Sequence, residues 1–218
     1  MSERLAKFMA RSGVCSRRRA DEYIRQKRVT VNGEVVDSPA FNVEGTEKIL
    51  FDGEKLPEIE TTRLWLYYKP VGLLTTHRDD QNRPTVFDSL PPFMPRVVSV
   101  GRLDLNSEGL LLLTNDGELA HRLLSPKYHV DKRYLARVDG ELSAADAEAF
   151  ARGMTLGDGL ECLPAGLEVL PDRVCIVTLR EGKFHQVKRM LAARGAPVLY
   201  LKLSLIHISE PTRHLRIS

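Results

Sequence analysis

Residues 97–114 constrain the fold of this chain more than any other segment, because two apolar runs there flank a short polar loop. Both runs are rich in Val and Leu, which predicts two buried strands. Gly101 and Gly109 bound the loop, and Asp104 lies at its centre, two residues after Arg102. A carboxylate fixed between buried strands can act as a nucleophile or a base without a metal. An Asp that only caps a turn would give the same pattern.

From residue 63 onward, the hydrophobic pattern predicts strands that alternate with single helices. Strands are predicted over 64–68, 73–76, 97–101, 109–114, 133–139, 166–170 and 173–179, and helices over 116–124, 143–152 and 185–194. This order of elements is typical of an α+β domain, and we expect its sheet to be largely antiparallel.

The first 33 residues form a basic head, with nine Lys or Arg against three Asp or Glu, whereas the rest of the chain has 23 against 26. Apolar spacing predicts one short helix over 4–12 and a second that Ser16 caps. A hairpin is predicted over 29–36, because Asn32-Gly33 suits the positive φ values of a type I′ turn. A basic head is typical of a nucleic-acid-binding module, although a solvated charged face explains the charge equally well.

Three consecutive arginines, Arg17, Arg18 and Arg19, occupy the first turn of the second predicted helix. The helix dipole disfavours cations there by ~0.3–1 kcal/mol each. A phosphate at the same place would meet free backbone N–H groups and three guanidinium groups. We therefore expect these arginines to bind RNA, together with Lys7 and Arg11 of the first helix; ordinary surface charges are the alternative.

Composition argues against several classes of protein. The chain is 43% hydrophobic and 28% charged, which is typical of a globular protein. No apolar run approaches the ~18 residues that span a membrane, and the first residues lack the apolar core of a signal peptide. Three cysteines and six histidines show neither a disulfide framework nor the spacing of a metal site. We therefore expect a cytoplasmic protein without a metal and without contact with a membrane.

Four motifs, in this order along the chain, resemble those of the bacterial ribosomal-RNA pseudouridine synthases. The head resembles an S4-type RNA-binding domain, and the whole resemblance extends over about residues 3–202. The matching segments are Lys69–Gly72 for the first strand signature, Gly101–Asp104 with 108–117 for the catalytic motif, Lys132–Tyr134 for the tyrosine motif and 181–190 for the last motif.

The resemblance implies an α+β fold in which a small S4-type head precedes a pseudouridine-synthase domain with a mostly antiparallel mixed sheet. It implies an isomerase, of the intramolecular transferase class, that needs no cofactor. Asp104 would be its essential nucleophile and Lys188 the ion-pair partner of that carboxylate. Tyr134 would stack on the uracil and help to move a proton. Without the motifs, core packing alone would explain Tyr134, and a surface lysine would be the favoured interpretation of Lys188.

Other basic residues are expected to contact the RNA around the catalytic site. A uridine in structured RNA must be flipped out at a cost of a few kcal/mol, and we expect Arg102 to occupy the vacated place in the stack. A salt bridge from Arg102 to Glu108 is the alternative. Lys183, Arg189 and Arg194 are expected to contact phosphates.

The chain is expected to consist of an S4-like domain and linker over 1–60 and a catalytic domain over 61–202. Residues 203–213 resemble a translated sequencing adapter, so 203–218 are expected to be a non-native tail that truncates the catalytic domain. A genuine strand is the alternative, because 203–208 alternates between apolar and polar residues.

Within the last motif, the segment from Lys183 to Met190 resembles the small-subunit enzymes of the family more than the large-subunit ones. We therefore favour 16S rRNA, or an assembling ribosomal subunit, as the partner of a monomeric enzyme. One alternative is a 23S rRNA synthase of the same family. Another is a non-catalytic S4-domain RNA binder that acts in ribosome assembly, but this leaves Asp104, Tyr134 and Lys188 unexplained.

Overall fold

The computed structural model describes residues 2–128 and 130–207, which form two compact units. The first unit comprises residues up to Arg63 with the short pieces 93–98 and 115–117, and the second comprises the other described residues. No helix among them is long and apolar enough to cross a membrane. The predicted non-native tail falls mostly outside the described residues, and its first part, 203–207, continues the last strand of the second unit.

Two short helices and two small antiparallel sheets, of two and four strands, form the first unit around a core that includes the fully buried Leu5, Met9 and Ile24. Its helices are α1 (Leu5–Arg11) and α2 (Arg17–Arg25), and its strands are β1 (Glu3–Arg4), β2 (Val29–Val31), β3 (Glu34–Val36), β4 (Asn42–Val43), β5 (Ile49–Phe51) and β6 (Glu54–Lys55). The predicted helices and hairpin are confirmed, and Asn32 and Gly33 turn the hairpin with φ values of 52° and 90°.

A seven-stranded sheet is the centre of the second unit, in the order β13-β14-β10-β15-β9-β7, with β8 paired to β9. The strands and helices that follow residue 63 are β7 (Leu64–Lys69), β8 (Val98–Val100), β9 (Glu108–Thr114), α3 (Gly117–Leu124), β10 (Asp131–Val138), α4 (Ala144–Arg152), β11 (Met154–Thr155), β12 (Glu161–Cys162), β13 (Gly166–Leu170), β14 (Val174–Leu179), α5 (Gln186–Ala192) and β15 (Val198–His207). Neighbouring strands along this order from β13 to β7 pair antiparallel, except that β15 and β9 are parallel. The expected α+β fold with a mostly antiparallel mixed sheet is confirmed.

Strand β9 approaches β15 most closely at Gly109, which has a φ of 115°. A Cβ atom at this position would lie 2.2 Å from the carbonyl oxygen of Leu203. Only glycine therefore allows the parallel pairing that fixes the end of the loop carrying Asp104.

The strand predicted over 73–76 is wrong. These residues make one isolated bridge, between Leu74 and Thr85. Leu74 donates its N–H to the carbonyl of Pro84 at 3.0 Å and accepts from the N–H of Val86 at 2.8 Å. Because its backbone hydrogen bonds go to a neighbouring loop, the segment does not join the sheet.

Candidate active site

Asp104 lies in the loop 101–107, between β8 and β9, and both of its carboxylate oxygens have a partner from the start of α5. Lys188 Nζ is 2.8 Å from Oδ2, so the structure contains the ion pair that the motifs implied. His185 Nε2 is 3.3 Å from Oδ1. The hydrogen bond from Lys188 and the close approach of His185 therefore involve different oxygens of the carboxylate.

The side chain of Lys69, the last residue of β7, forms hydrogen bonds to the main chain of this loop. Its side chain is fully buried, and Nζ donates to the carbonyl oxygens of Pro70 at 2.9 Å, Asp104 at 3.1 Å and Ser107 at 2.8 Å. Burial lowers the pKa of Lys69, and the negative charge of Asp104 opposes this effect. Lys69 belongs to the first strand signature, Lys69–Gly72, but no role was predicted for its side chain.

Residues 72–75 also form hydrogen bonds to the main chain of this loop. The N–H of Gly72 donates to the carbonyl oxygen of Leu105 at 2.8 Å. The Thr75 hydroxyl donates to the carbonyl of Leu103 at 2.9 Å and lies 3.3 Å from the N–H of the same residue. The segment that was expected to be a strand therefore supports the loop that carries Asp104.

His185 was missed as a site residue, although it lies within the last motif. It precedes α5 in a left-handed conformation, with a φ of 50°, which is uncommon for a residue with a side chain. The buried Gln186 ties the turn to the residues that precede it, because it donates to Glu181 at 2.6 Å and accepts from the N–H of Lys183 at 3.0 Å. The sequence signal for this arrangement is the order His-Gln, but the sequence does not reveal the left-handed turn.

Tyr134 lies on β10 and lines a cavity of about 80 Å³ together with Asp104 and Lys188. Tyr134 also packs against the hydrophobic core. Its position is therefore compatible both with a role in catalysis and with a role in core packing. Burial, and then the charge of Asp104, raises the pKa of Tyr134 to about 12. At neutral pH its hydroxyl therefore stays protonated and can donate a hydrogen bond.

Asp104 also lines a larger cavity, of about 970 Å³, whose volume is that of a large ligand pocket. Arg102 and Lys183 line it too. The Arg102 side chain is exposed and has no ion-pair partner among the described residues. Glu108, the alternative partner, instead accepts hydrogen bonds from Tyr68, at 2.7 Å, and Tyr200, and these lower its pKa.

Most of the predicted RNA-binding residues have acidic partners within their own unit. Arg17 and Arg18 are exposed in the first turn of α2, and Arg19 pairs with Glu22 at 3.2 Å. The remaining basic candidates pair with acidic side chains: Lys7 and Arg11 with Glu3, Lys183 with Glu181, Arg189 with Asp158, and Arg194 with Asp146. In the part of the chain that the structure describes, no group of three His, Cys, Asp or Glu residues is arranged to hold a metal.

Comparison with known proteins agrees with this arrangement. The family model for RNA pseudouridylate synthase matches residues 63–193, and the S4 domain model matches 3–49. Ribosomal small subunit pseudouridine synthase A of Pasteurella multocida is 39% identical over 91% of this chain and 86% of its own length. Ribosomal large subunit pseudouridine synthase B of Bacillus subtilis is also 39% identical, over 92% and 84%.

A solved crystal structure of a pseudouridylate synthase superposes with a TM-score of 0.66, at 36% identity over 93% of this chain and 88% of the other. The fold and the site therefore define an RNA-modifying isomerase with an N-terminal S4 domain. The chain belongs to the RNA pseudouridylate synthase family, whose members convert uridine to pseudouridine.

Proposed function

We propose that this protein is a site-specific ribosomal-RNA pseudouridine synthase whose nucleophile is Asp104. The observation that carries the proposal is the carboxylate of Asp104, which faces a cavity of about 970 Å³ and is held by Lys188 and His185. The names of the two relatives refer to the small and the large ribosomal subunit, which supports ribosomal RNA as the substrate.

The reaction is an isomerisation, so uridine and pseudouridine contain the same atoms. The bond between N1 and C1′ breaks, the uracil rotates, C1′ bonds to C5, and the C5 proton leaves while N1 gains one. Because no net oxidation occurs, we propose that the enzyme works without a cofactor. A carboxylate at Asp104 is compatible with attack on C1′, with attack on C6 and with removal of a ribose proton.

Three neighbouring side chains would assist this chemistry. Lys188 keeps the Asp104 carboxylate in position through a charge-assisted hydrogen bond. Tyr134 contributes a protonated hydroxyl and an aromatic ring on the wall of the smaller cavity. Arg102, exposed on the wall of the larger cavity, is suited to fill the gap that a flipped uridine leaves in the RNA.

We favour 16S rRNA because the segment from Lys183 to Met190 resembles the small-subunit enzymes. A 23S rRNA substrate is the second candidate, because the large-subunit relative has the same 39% identity as the small-subunit one. Tritium release from C5-labelled uridine in 16S and 23S transcripts separates the two. We expect release from 16S rRNA alone, and release from 23S rRNA alone would transfer the assignment to the large subunit.

The same assay with assembling ribosomal subunits tests a substrate that forms only during assembly. Release from these particles but not from naked transcripts would support an assembly intermediate as the substrate. If no RNA or particle releases tritium although it binds the protein, the catalytic proposal is wrong and the non-catalytic S4-domain binder is favoured.

The first unit is expected to contribute to RNA affinity through Arg17 and Arg18. Changing both to Glu should weaken binding of rRNA transcripts and reduce the salt dependence of binding by about one unit of slope per lost phosphate contact. Filter binding between low and moderate salt measures both effects. The matched control is Arg25→Glu with Lys27→Glu, the same charge change on other exposed residues of the first unit. Equal effects of the two pairs would show that only net charge matters.

A further inference from the structure

Phe184 has no role in the proposed reaction, although it directly precedes the histidine that contacts Asp104. It is a large apolar side chain, yet 71% of it is exposed. Single exposed apolar residues are ordinary, so exposure alone carries no function. What distinguishes Phe184 is the set of groups that surround it.

The ring of Phe184 stacks on the ring of His185, with 3.9 Å between the centroids and 19° between the planes. His185 therefore covers one face of the phenyl ring. Because most of the side chain is exposed, its opposite face is open to a ligand. A flat face of this kind accepts another planar ring in an offset stack.

Phe184 lines two cavities. One is the large cavity that holds Asp104, and the other has a volume of about 470 Å³. We call this second cavity the Phe184 cavity. Its other lining residues are Leu156, Gly157, Asp158, Arg189, Ala192 and Ala193.

The chemistry of the Phe184 cavity suits a planar ligand with a polar edge. Leu156 and two alanines make an apolar lining without bulky side chains, and Phe184 adds an aromatic wall. Arg189 and Asp158 form an ion pair at the same cavity, which supplies both hydrogen-bond donors and acceptors. An unpaired nucleobase has this combination of an aromatic face and a hydrogen-bonding edge.

We propose that the Phe184 cavity binds one unpaired nucleobase of the RNA substrate, stacked on the free face of Phe184. The inference rests on the proposed function, because it takes the RNA to be the molecule whose uridine lies at Asp104. Phe184 stacks on His185, which contacts Asp104, and both Phe184 and Asp104 line the large cavity. The bound base is therefore expected to lie near the target uridine in the folded RNA.

A fluorescent reporter tests the stacking directly. Trp65 is the single tryptophan of the chain, so Trp65→Phe with Phe184→Trp places the only indole in the cavity. We expect 16S or 23S transcripts, whichever filter binding shows to bind, to quench this indole. The matched control is Trp65→Phe with Phe93→Trp, since Phe93 is 85% exposed and does not line either cavity. Unchanged fluorescence at position 184 in the RNA complex, or equal quenching in the control, would overturn the proposal.

Activity provides a second test. Phe184→Leu and Phe184→Ala should both lower kcat/KM for tritium release by about 5- to 150-fold, the factor that corresponds to ~1–3 kcal/mol for one stacked base. Phe184→Trp should recover most of this loss, and the thermal midpoint should not change because the side chain is exposed. Parental kcat/KM in Phe184→Leu would overturn the proposal. If the parent itself releases no tritium, the proposed function fails, while the fluorescence titration still decides whether a base stacks on Phe184.

Discussion

Asp104→Ala is expected to abolish tritium release, with a loss of at least ~10⁴-fold, while the protein keeps its affinity for RNA. The substitution removes the only carboxylate that Lys188 and His185 orient. It leaves the main chain of the loop in place, because Lys69 and Thr75 bind backbone atoms of that loop and not the Asp104 side chain. Tritium release and filter binding on the same preparation measure the two properties.

Two further variants make this result specific. Asp104→Asn keeps the shape of the side chain without its charge, and we expect it to be inactive as well. Asp79→Asn changes another carboxylate of the same cavity, which pairs with Arg83 at 2.7 Å and has a pKa of about 2 for that reason. Its loss of activity should stay below about 10-fold, because its partner is not part of the Asp104 cluster. Full activity of Asp104→Ala would contradict the nucleophile assignment.

The sequence predicted the central contact of the site but not the groups that support it. Asp104 and Lys188 are 84 positions apart, and their pairing was predicted from the resemblance of their motifs to those of the family. Lys69 was overlooked because lysine is almost never fully buried, so a lysine at the end of a strand reads as a surface residue. His185 was overlooked because its contact depends on a left-handed turn, which a residue other than glycine rarely adopts.

Residues that bind RNA are harder to predict from sequence, for a related reason. A sequence shows the sign of each charge but not the neighbour that the fold provides. Lys7 and Arg11 both pair with Glu3, and Arg189 pairs with a carboxylate outside the large cavity. The strongest candidates in the first unit are therefore Arg17 and Arg18, whose side chains have no ion-pair partner among the described residues.

Lys69→Met should disrupt both the stability and the activity of the protein. Methionine fills much of the volume of the lysine but cannot donate a hydrogen bond, so three carbonyl oxygens of the loop and its flank lose their partner. An acceptor left without a donor costs ~1–3 kcal/mol when it is buried, so the loss of three bonds should lower the free energy of unfolding by roughly 3–9 kcal/mol. A displacement of Asp104 by about 1 Å would add a loss of ~10²-fold in kcat. Urea unfolding and tritium release well below the thermal midpoint measure these effects separately.

Lys132→Met is the matched control, because Lys132 is the other buried lysine among the described residues. Burial lowers its pKa as it does for Lys69, but its Nζ donates to one carbonyl only, that of Val130, at 3.3 Å. If burial of an ammonium group were the main factor, the two substitutions would have similar effects on unfolding. If the loop depends on the three bonds of Lys69, the Lys69 variant alone should lose several kcal/mol. Parental stability and activity in Lys69→Met would show that Gly72 and Thr75 hold the loop without it.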